Sequence, residues 1–227
     1  MVARRLTQHL EVNSLWDPQQ PAYRRHHSCE TAVVSLIDDV RCGLDEGKVT
    51  LLTLLDLSAA FDTVDHSLLV NRLSDMGVQG DALAWFVNYL SGRSQSVFRG
   101  TTSPSLLIKS GVPQGSVLGP ILFTIYLRGL REVIIRHGVK YIVYADDIQL
   151  YITCVVSELP TVVKRMEACI ADIQMWLTCN LLVLNLKKTE AILFGTRQQL
   201  EKCTASELRV GDVFIPFSST VRDLGVF

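Results

Sequence analysis

Two stretches of strand-like apolar sequence run straight into aspartate: Leu51 to Leu55 ends on Asp56, and Tyr141-Ile142-Val143-Tyr144-Ala145 ends on the adjacent pair Asp146-Asp147, with Ile148 next. Short apolar runs rich in β-branched and aromatic residues read as buried strands. Aspartate is seldom buried unless it is paired or holds a cation, so acids at the tips of such strands demand a compensating positive charge. A divalent metal supplies it. Magnesium suits the setting: it takes hard oxygen ligands, commonly one or two carboxylates together with substrate phosphates, and two such ions can clamp the attacking and leaving oxygens of a phosphoryl transfer.

The 227 residues fit one large or two small domains, with an apolar fraction of 48% that is ordinary for a globular core. The longest apolar segment, Val117 to Leu127, is interrupted by Gly119 and Pro120 and is too short to cross a bilayer. The first residues, with Arg4, Arg5, His9 and Glu11, lack the apolar stretch of a secretory signal. An intracellular protein is the expectation, with nucleus and cytoplasm undistinguished and no membrane partner. Six cysteines have neither C-x-x-C pairing nor zinc-ligand spacing, and read as reduced, buried or half-buried thiols. A net charge of −1 argues against a free-standing nucleic-acid binder, because affinity for phosphate backbone comes largely from lysine and arginine. Local basic clusters, Arg24-Arg25-His26-His27 and Lys187-Lys188 among them, are either solvated faces or phosphate contacts.

Along the chain, Ser28 to Glu46 carries a helical stripe with Ser28 as cap and Gly47 as stop. Val49 to Leu57 reads as a strand, and His66 to Met76 and Asp81 to Leu90 as helices. Ser94 to Arg99 and Ser105 to Ser110 form an expected hairpin joined by Gly100 to Pro104. The turn Gly111 to Gly115 leads into one predicted helix from about Val117 to Arg136. Strands Lys140 to Ala145 and Ile148 to Val155 make a hairpin with the two acids at its tip; a long helix, Leu159 to Asn180, follows. Strands near Glu190 to Phe194, Leu208 to Val210 and Val213 to Pro216 complete an α+β pattern without a βαβ repeat.

Four blocks then stand in a fixed order: Asp56-Leu57-Ser58-Ala59-Ala60-Phe61-Asp62; Gly111-Val112-Pro113-Gln114-Gly115-Ser116-Val117-Leu118-Gly119-Pro120; Tyr144-Ala145-Asp146-Asp147; and Leu184-Asn185-Leu186-Lys187-Lys188-Thr189. Together they resemble a reverse transcriptase, and more closely the polymerase of LINE-type, non-LTR retrotransposons. The resemblance implies a polymerase palm, an antiparallel sheet backed by helices, with partial fingers and no thumb. On that template about 1–48 and 66–112 are fingers-like, about 49–65 and 113–200 palm, and 201–227 the region that holds the primer end.

It also implies roles. Asp56 becomes a metal ligand, the peptide oxygen of Leu57 a neutral ligand to the second ion, and Asp146 the bridge between two Mg2+ ions, for which Mn2+ could substitute. Asp147 sits nearby and tunes the field more than it ligates. Lys188, with Lys187 as the competing candidate, would protonate the departing pyrophosphate, acting as a cation first and an acid second. Arg24 resembles the finger arginine that grips a triphosphate, although His27 stands where relatives often carry a second arginine. Ala60 and Phe61 fall at the nucleotide sugar. A large ring at 61 would leave an added 2′-hydroxyl crowded and without a partner, favouring deoxynucleotides; read from the residues alone, Phe61 is equally a core aromatic. Gln114 and Gly115 would touch the incoming nucleotide or template base, and an ordinary turn before a helix accounts for the glycines as well. Val221-Arg222-Asp223-Leu224-Gly225 is weakly similar to the primer-holding loop. The expected partners are an RNA template, a DNA primer and deoxynucleoside triphosphates; oligomeric state has no legible signature. Two other readings stay open: a domesticated or truncated binding module without turnover, and an RNA-templated RNA polymerase, for which a smaller or polar residue is expected at 61.

Overall fold

The computed structural model describes residues 1–225. In chain order the helices and strands are α1 Val2–Val12, α2 Cys29–Asp45, β1 Val49–Leu55, β2 Leu57–Ser58, α3 His66–Asp75, α4 Gly80–Leu90, β3 Ser94–Gln95, β4 Phe98–Arg99, β5 Thr101–Thr102 and β6 Leu106–Leu107. There follow α5 Gly119–Leu127, α6 Leu130–Arg136, β7 Lys140–Tyr144, β8 Asp147–Cys154, α7 Leu159–Cys179, β9 Val183–Leu184, β10 Glu190–Phe194, α8 Arg197–Leu200, β11 Glu207–Val210 and β12 Val213–Ser218. The class is α+β. Two compact units emerge: one of Met1–Trp16, Ala59–Arg128 and Asn180–Leu182, the other of Asp17–Ser58, Gly129–Cys179 and the chain from Val183 onward.

The second unit is built on a six-stranded sheet in the order β11-β12-β10-β1-β8-β7. All pairings are antiparallel except β10 with β12, a parallel step that α8 and β11 make possible by returning the chain to the same edge. β1 is buried along almost its whole length because it is central and covered on both faces. Side chains alternate between faces with a period of two. The register Leu52 to Tyr151 and Ile192 therefore sets those three on one face, where they pack with Ile142 and with Ala32, Leu36 and Val40 of α2. Gly43 allows that approach: a Cβ there would stand 2.7 Å from Thr153 Cγ2. α7 packs with α6, β8 and β11 through its own buried stripe, which includes Val162, Met166, Ile170, Ile173 and Leu177. Ser28 caps α2 by accepting from Thr31 N–H, and Gly47 ends it at φ +72°.

In the first unit α3 packs against α4 and α5. α5 is buried at every residue but the half-buried Pro120, and so shows no amphipathic stripe.

Three expectations are corrected. The single helix from 117 to 136 is two, α5 and α6, because the segment passes from one compact unit to the other at Arg128–Gly129; Gly129 is a poor helix former held close to the Trp176 ring. The hairpin from 94 to 110 turns tightly at Gly100 (φ +78°), pairing Phe98–Arg99 with Thr101–Thr102, and Ser94–Gln95 then pairs with Leu106–Leu107, so the loop expected over 100–104 is partly strand. Cys42 and Cys179 are exposed rather than buried, although all six thiols are free. Three of these elements have no counterpart in the sequence reading: β9, α8 and α1, whose Leu6 and Leu10, one turn apart, are buried.

Candidate active site

The site begins with strand geometry. β1 pairs with β8 through Leu55 opposite Ile148, so Asp56 follows β1 at the end of the sheet where β8 begins with Asp147. Alternation from Leu52 and Tyr151 sets Leu54 and Asp56 on one strand, Asp147 and Gln149 on the next, on the face that α2 covers. A cavity of about 580 Å3 opens there, lined by Asp56, Asp147, Gln149, Lys187, Lys188 and the segment Arg222 to Leu224 among others.

Asp56 stands where the chain changes partners: Leu55 still pairs with β8, whereas Leu57 pairs with Leu184 of β9. Its peptide oxygen accepts from Asn185 N–H at 2.8 Å, and its Oδ2 accepts from Asn185 Nδ2 at 3.2 Å. Lys188 Nζ lies 3.4 Å from the same Oδ2. Asn185 was absent from the expected site; its only sequence signal was its place beside Lys188 in the fourth block. Lys188 is largely exposed, so its pairing with Asp56 is weak and easily exchanged for another anion.

Ala145 and Asp146 form the two-residue turn between β7 and β8, closed by Tyr144 opposite Asp147. Ala145 has φ +58°. Left-handed backbone at a residue with a Cβ costs roughly 1–2 kcal/mol, strain that the surrounding sheet must hold. Asp147 is half-buried and its carboxyl is pushed up to about 6, first by burial, then by the charges of Asp146, Asp56 and Asp223, with Lys188 pulling the other way. Asp146, on the turn, does not line the 580 Å3 cavity; its charge acts on Asp147 and, after burial, on Tyr23, whose hydroxyl is shifted up.

Arg24 lies in a loop that Asp17 anchors. Its Nη1 donates to Asp17 O at 3.2 Å, while the Asp17 carboxylate, 8% exposed, accepts from Tyr141 Oη at 2.7 Å and Arg131 Nη1 at 3.3 Å. Tyr23 and His26 on either side take φ +62° and +64°.

The remaining expected residues belong to the first unit. Ala60 is buried; Phe61 is half-buried and stacks on buried Phe123 with centroids 4.5 Å apart. Gln114 is exposed and donates from Nε2 to Asp62 Oδ1 at 3.3 Å. Gly115 is exposed at φ +78°, whereas Gly111 (φ +89°) is required by its neighbours, since a Cβ there would lie 2.9 Å from Asp62 O.

The donor set fits a magnesium-type ion. Asp56 and Asp147 offer hard oxygens into one cavity, and the Asp147 carboxyl is raised first by burial and then by the neighbouring acids, both of which a bound cation would offset. No group of three or more His, Cys, Asp or Glu side chains able to hold a metal ion is present among the described residues. No helix among the described residues is long and apolar enough to cross a membrane.

Comparison with known proteins follows the same lines. Residues 1–226 match the family "Reverse transcriptase (RNA-dependent DNA polymerase)". A probable RNA-directed DNA polymerase from transposon BS of Drosophila melanogaster is 27% identical over 156 residues, 66% of this chain and 17% of that protein. The RNA-directed DNA polymerase from mobile element jockey of Drosophila funebris is 26% identical over 176 residues, 74% of this chain and 19% of that protein. The chain thus spans under a fifth of these relatives. Among solved structures, apo telomerase from Candida tropicalis truncated from its C-terminal domain has a TM-score of 0.62 at 14% identity, covering 99% of this chain and 44% of that one. Telomerase from the same yeast with a telomeric RNA fragment has a TM-score of 0.64 at 12% identity, covering 99% and 36%. The likeness to these structures is one of fold, and the sequence match carries the family: the chain belongs to the reverse transcriptase family.

Proposed function

We propose that the cavity holding Asp56 and Asp147 is the nucleotidyl-transfer site of an RNA-directed DNA polymerase, and that the sheet around it is the palm. The single observation carrying this reading is the meeting of the first, third and fourth sequence blocks at one sheet end: Asp56 bonded to Asn185, facing Lys188, and sharing a cavity with Asp147.

Asp56, Asp147 and Asp146 would hold two Mg2+ or Mn2+ ions, with the Leu57 peptide oxygen as a further ligand. Bound there, the ions supply Lewis-acid stabilisation of charge on the transferring phosphate. The chain's own residues do the rest. Asn185 fixes the Asp56 carboxylate by one side-chain bond, and its backbone restrains the Asp56 peptide oxygen. Lys188, already drawn to anionic oxygen, offers positive charge and a proton to the departing pyrophosphate. Arg24, braced through Asp17, offers a guanidinium to the triphosphate. Primer attack through its 3′-hydroxyl would extend DNA on an RNA template. The assignments of Ala60, Phe61, Gln114 and Gly115 to the nucleotide rest on the resemblance; Phe61 would exclude the 2′-hydroxyl.

Primer extension on an RNA template tests the reading. Metal-dependent incorporation that Asp146→Asn and Asp147→Asn both abolish supports it; incorporation unaffected by either would sink the metal-site assignment. Near-neutral net charge favours one second reading, a binding module without turnover, which RNA binding with no incorporation at any metal concentration would select.

A further inference from the structure

Gln149 is the least expected residue in the sheet. It lies in β8 opposite Leu54 on one side and Ile142 on the other, and is 1% exposed. Packing alone would favour an aliphatic side chain in that position, because burying an amide without full pairing is destabilising. The amide is only half satisfied: Nε2 donates to Asp223 Oδ1 at 2.6 Å, and Oε1 has no partner.

The bonded partner gives the amide its meaning. Asp223 lies in the segment Val221 to Leu224, whose Val221 and Leu224 pack against the hydrophobic cluster beneath α2. Arg222, Asp223 and Leu224 form one wall of the cavity that Asp56 and Asp147 line, and Lys187, Lys188 and Glu190 line it too. Apolar contacts can slide, but a directed amide–carboxylate bond from a central strand sets where the wall stands. Gln149 is also two residues beyond Asp147 on the same strand face, so one rigid strand carries both the acid and the anchor.

We propose that Gln149 is a positioning residue: through Asp223 it fixes the segment 222–224, and so sets where the 3′-hydroxyl end of a nucleic-acid strand lies relative to Asp56 and Asp147. The occupant follows from the lining, in which Lys187 and Lys188 offer cations to strand phosphates beside the acids that would hold metal at the reacting end. The inference rests on the polymerase reading.

The full chain, a fluorescent RNA–DNA primer–template hybrid and magnesium ion alone suffice as probes. Gln149→Leu removes the bond while keeping the volume, and Asp223→Asn keeps an accepting oxygen at the same place. Gln149→Leu should weaken hybrid binding about tenfold and strip amide-exchange protection from residues 221–224, while leaving magnesium affinity within about twofold and thermal stability no lower. Asp223→Asn should retain protection and most hybrid affinity. Hybrid affinity unchanged in Gln149→Leu overturns the proposal, as does a loss of magnesium affinity and thermal stability in step with hybrid binding, which would make Gln149 a structural residue only. Absence of hybrid binding by the wild-type chain fails the polymerase reading and this proposal with it, and is told apart because the loss then precedes any substitution.

Discussion

Two hairpins in this chain solve the same local problem in opposite ways. The turn between β7 and β8 puts Ala145 at φ +58°, where glycine would be relaxed, yet sits in a six-stranded sheet whose Val143 and Ile148 are buried. The hairpin over 94–107 puts glycine, Gly100 at φ +78°, in its tight turn, yet leaves Phe98, Leu106 and Leu107 exposed on two-residue ladders. The first is strained at the turn and held by packing; the second is relaxed at the turn and held by little. Acids that must keep position against their mutual repulsion are found on the packed hairpin, where the backbone cannot yield to separate them.

The widest gap between the two hairpins should appear in chemistry. Asp147→Asn is expected to lower magnesium-dependent nucleotide incorporation by at least about 100-fold, the scale of losing a group that organises transition-state charge. Arg99→Ala on the exposed hairpin should change kcat by less than about threefold, since no part of the account uses Arg99 in the reaction; comparable losses in both would erase the distinction. Packing gives the next effect. Val143→Ala, 4% exposed in the sheet, should cost about 1–3 kcal/mol in denaturant unfolding, whereas Leu106→Ala, 68% exposed, should stay within about 0.5 kcal/mol. Close approach adds a case of similar size: Gly43→Ala must push Thr153 or shift α2, for roughly 1–3 kcal/mol of destabilisation, and an unperturbed melting temperature would mean the helix is free to move off the sheet. Turn strain gives the smallest effect. Ala145→Gly should stabilise by roughly 0.5 kcal/mol, relief of positive φ outweighing the greater freedom glycine gives the unfolded chain, while Gly100→Ala should destabilise its own hairpin by roughly 1 kcal/mol, read as faster amide exchange confined to residues 94–107.

The same contrast explains what the sequence made legible. Strands β1, β7 and β8 and their terminal acids stand out because each is a mostly apolar, largely buried run, so an aspartate at its end breaks the pattern visibly. Asn185 against Asp56 and Gln149 against Asp223 do not stand out, because each pairing joins segments 129 and 74 residues apart and nothing local marks either partner. The strain at Ala145 is invisible for another reason: alanine is an ordinary residue until the sheet forces its φ positive. Periodicity misled at Arg128–Gly129, where an all-round apolar helix and an amphipathic one follow each other without a proline, and only their membership of different compact units reveals the break. In the exposed hairpin the register depends on a tight turn at Gly100 that alternating composition does not specify.

Magnesium-dependent binding of a deoxynucleoside triphosphate is the measurement closest to the central claim, that Asp56 and Asp147 form one metal-holding cavity. Followed by calorimetry on the wild-type chain, binding should appear with Mg2+, vanish with chelator, and fall by at least about tenfold in both Asp56→Asn and Asp147→Asn. Nucleotide binding of equal strength without metal, or unaltered by either substitution, would contradict it.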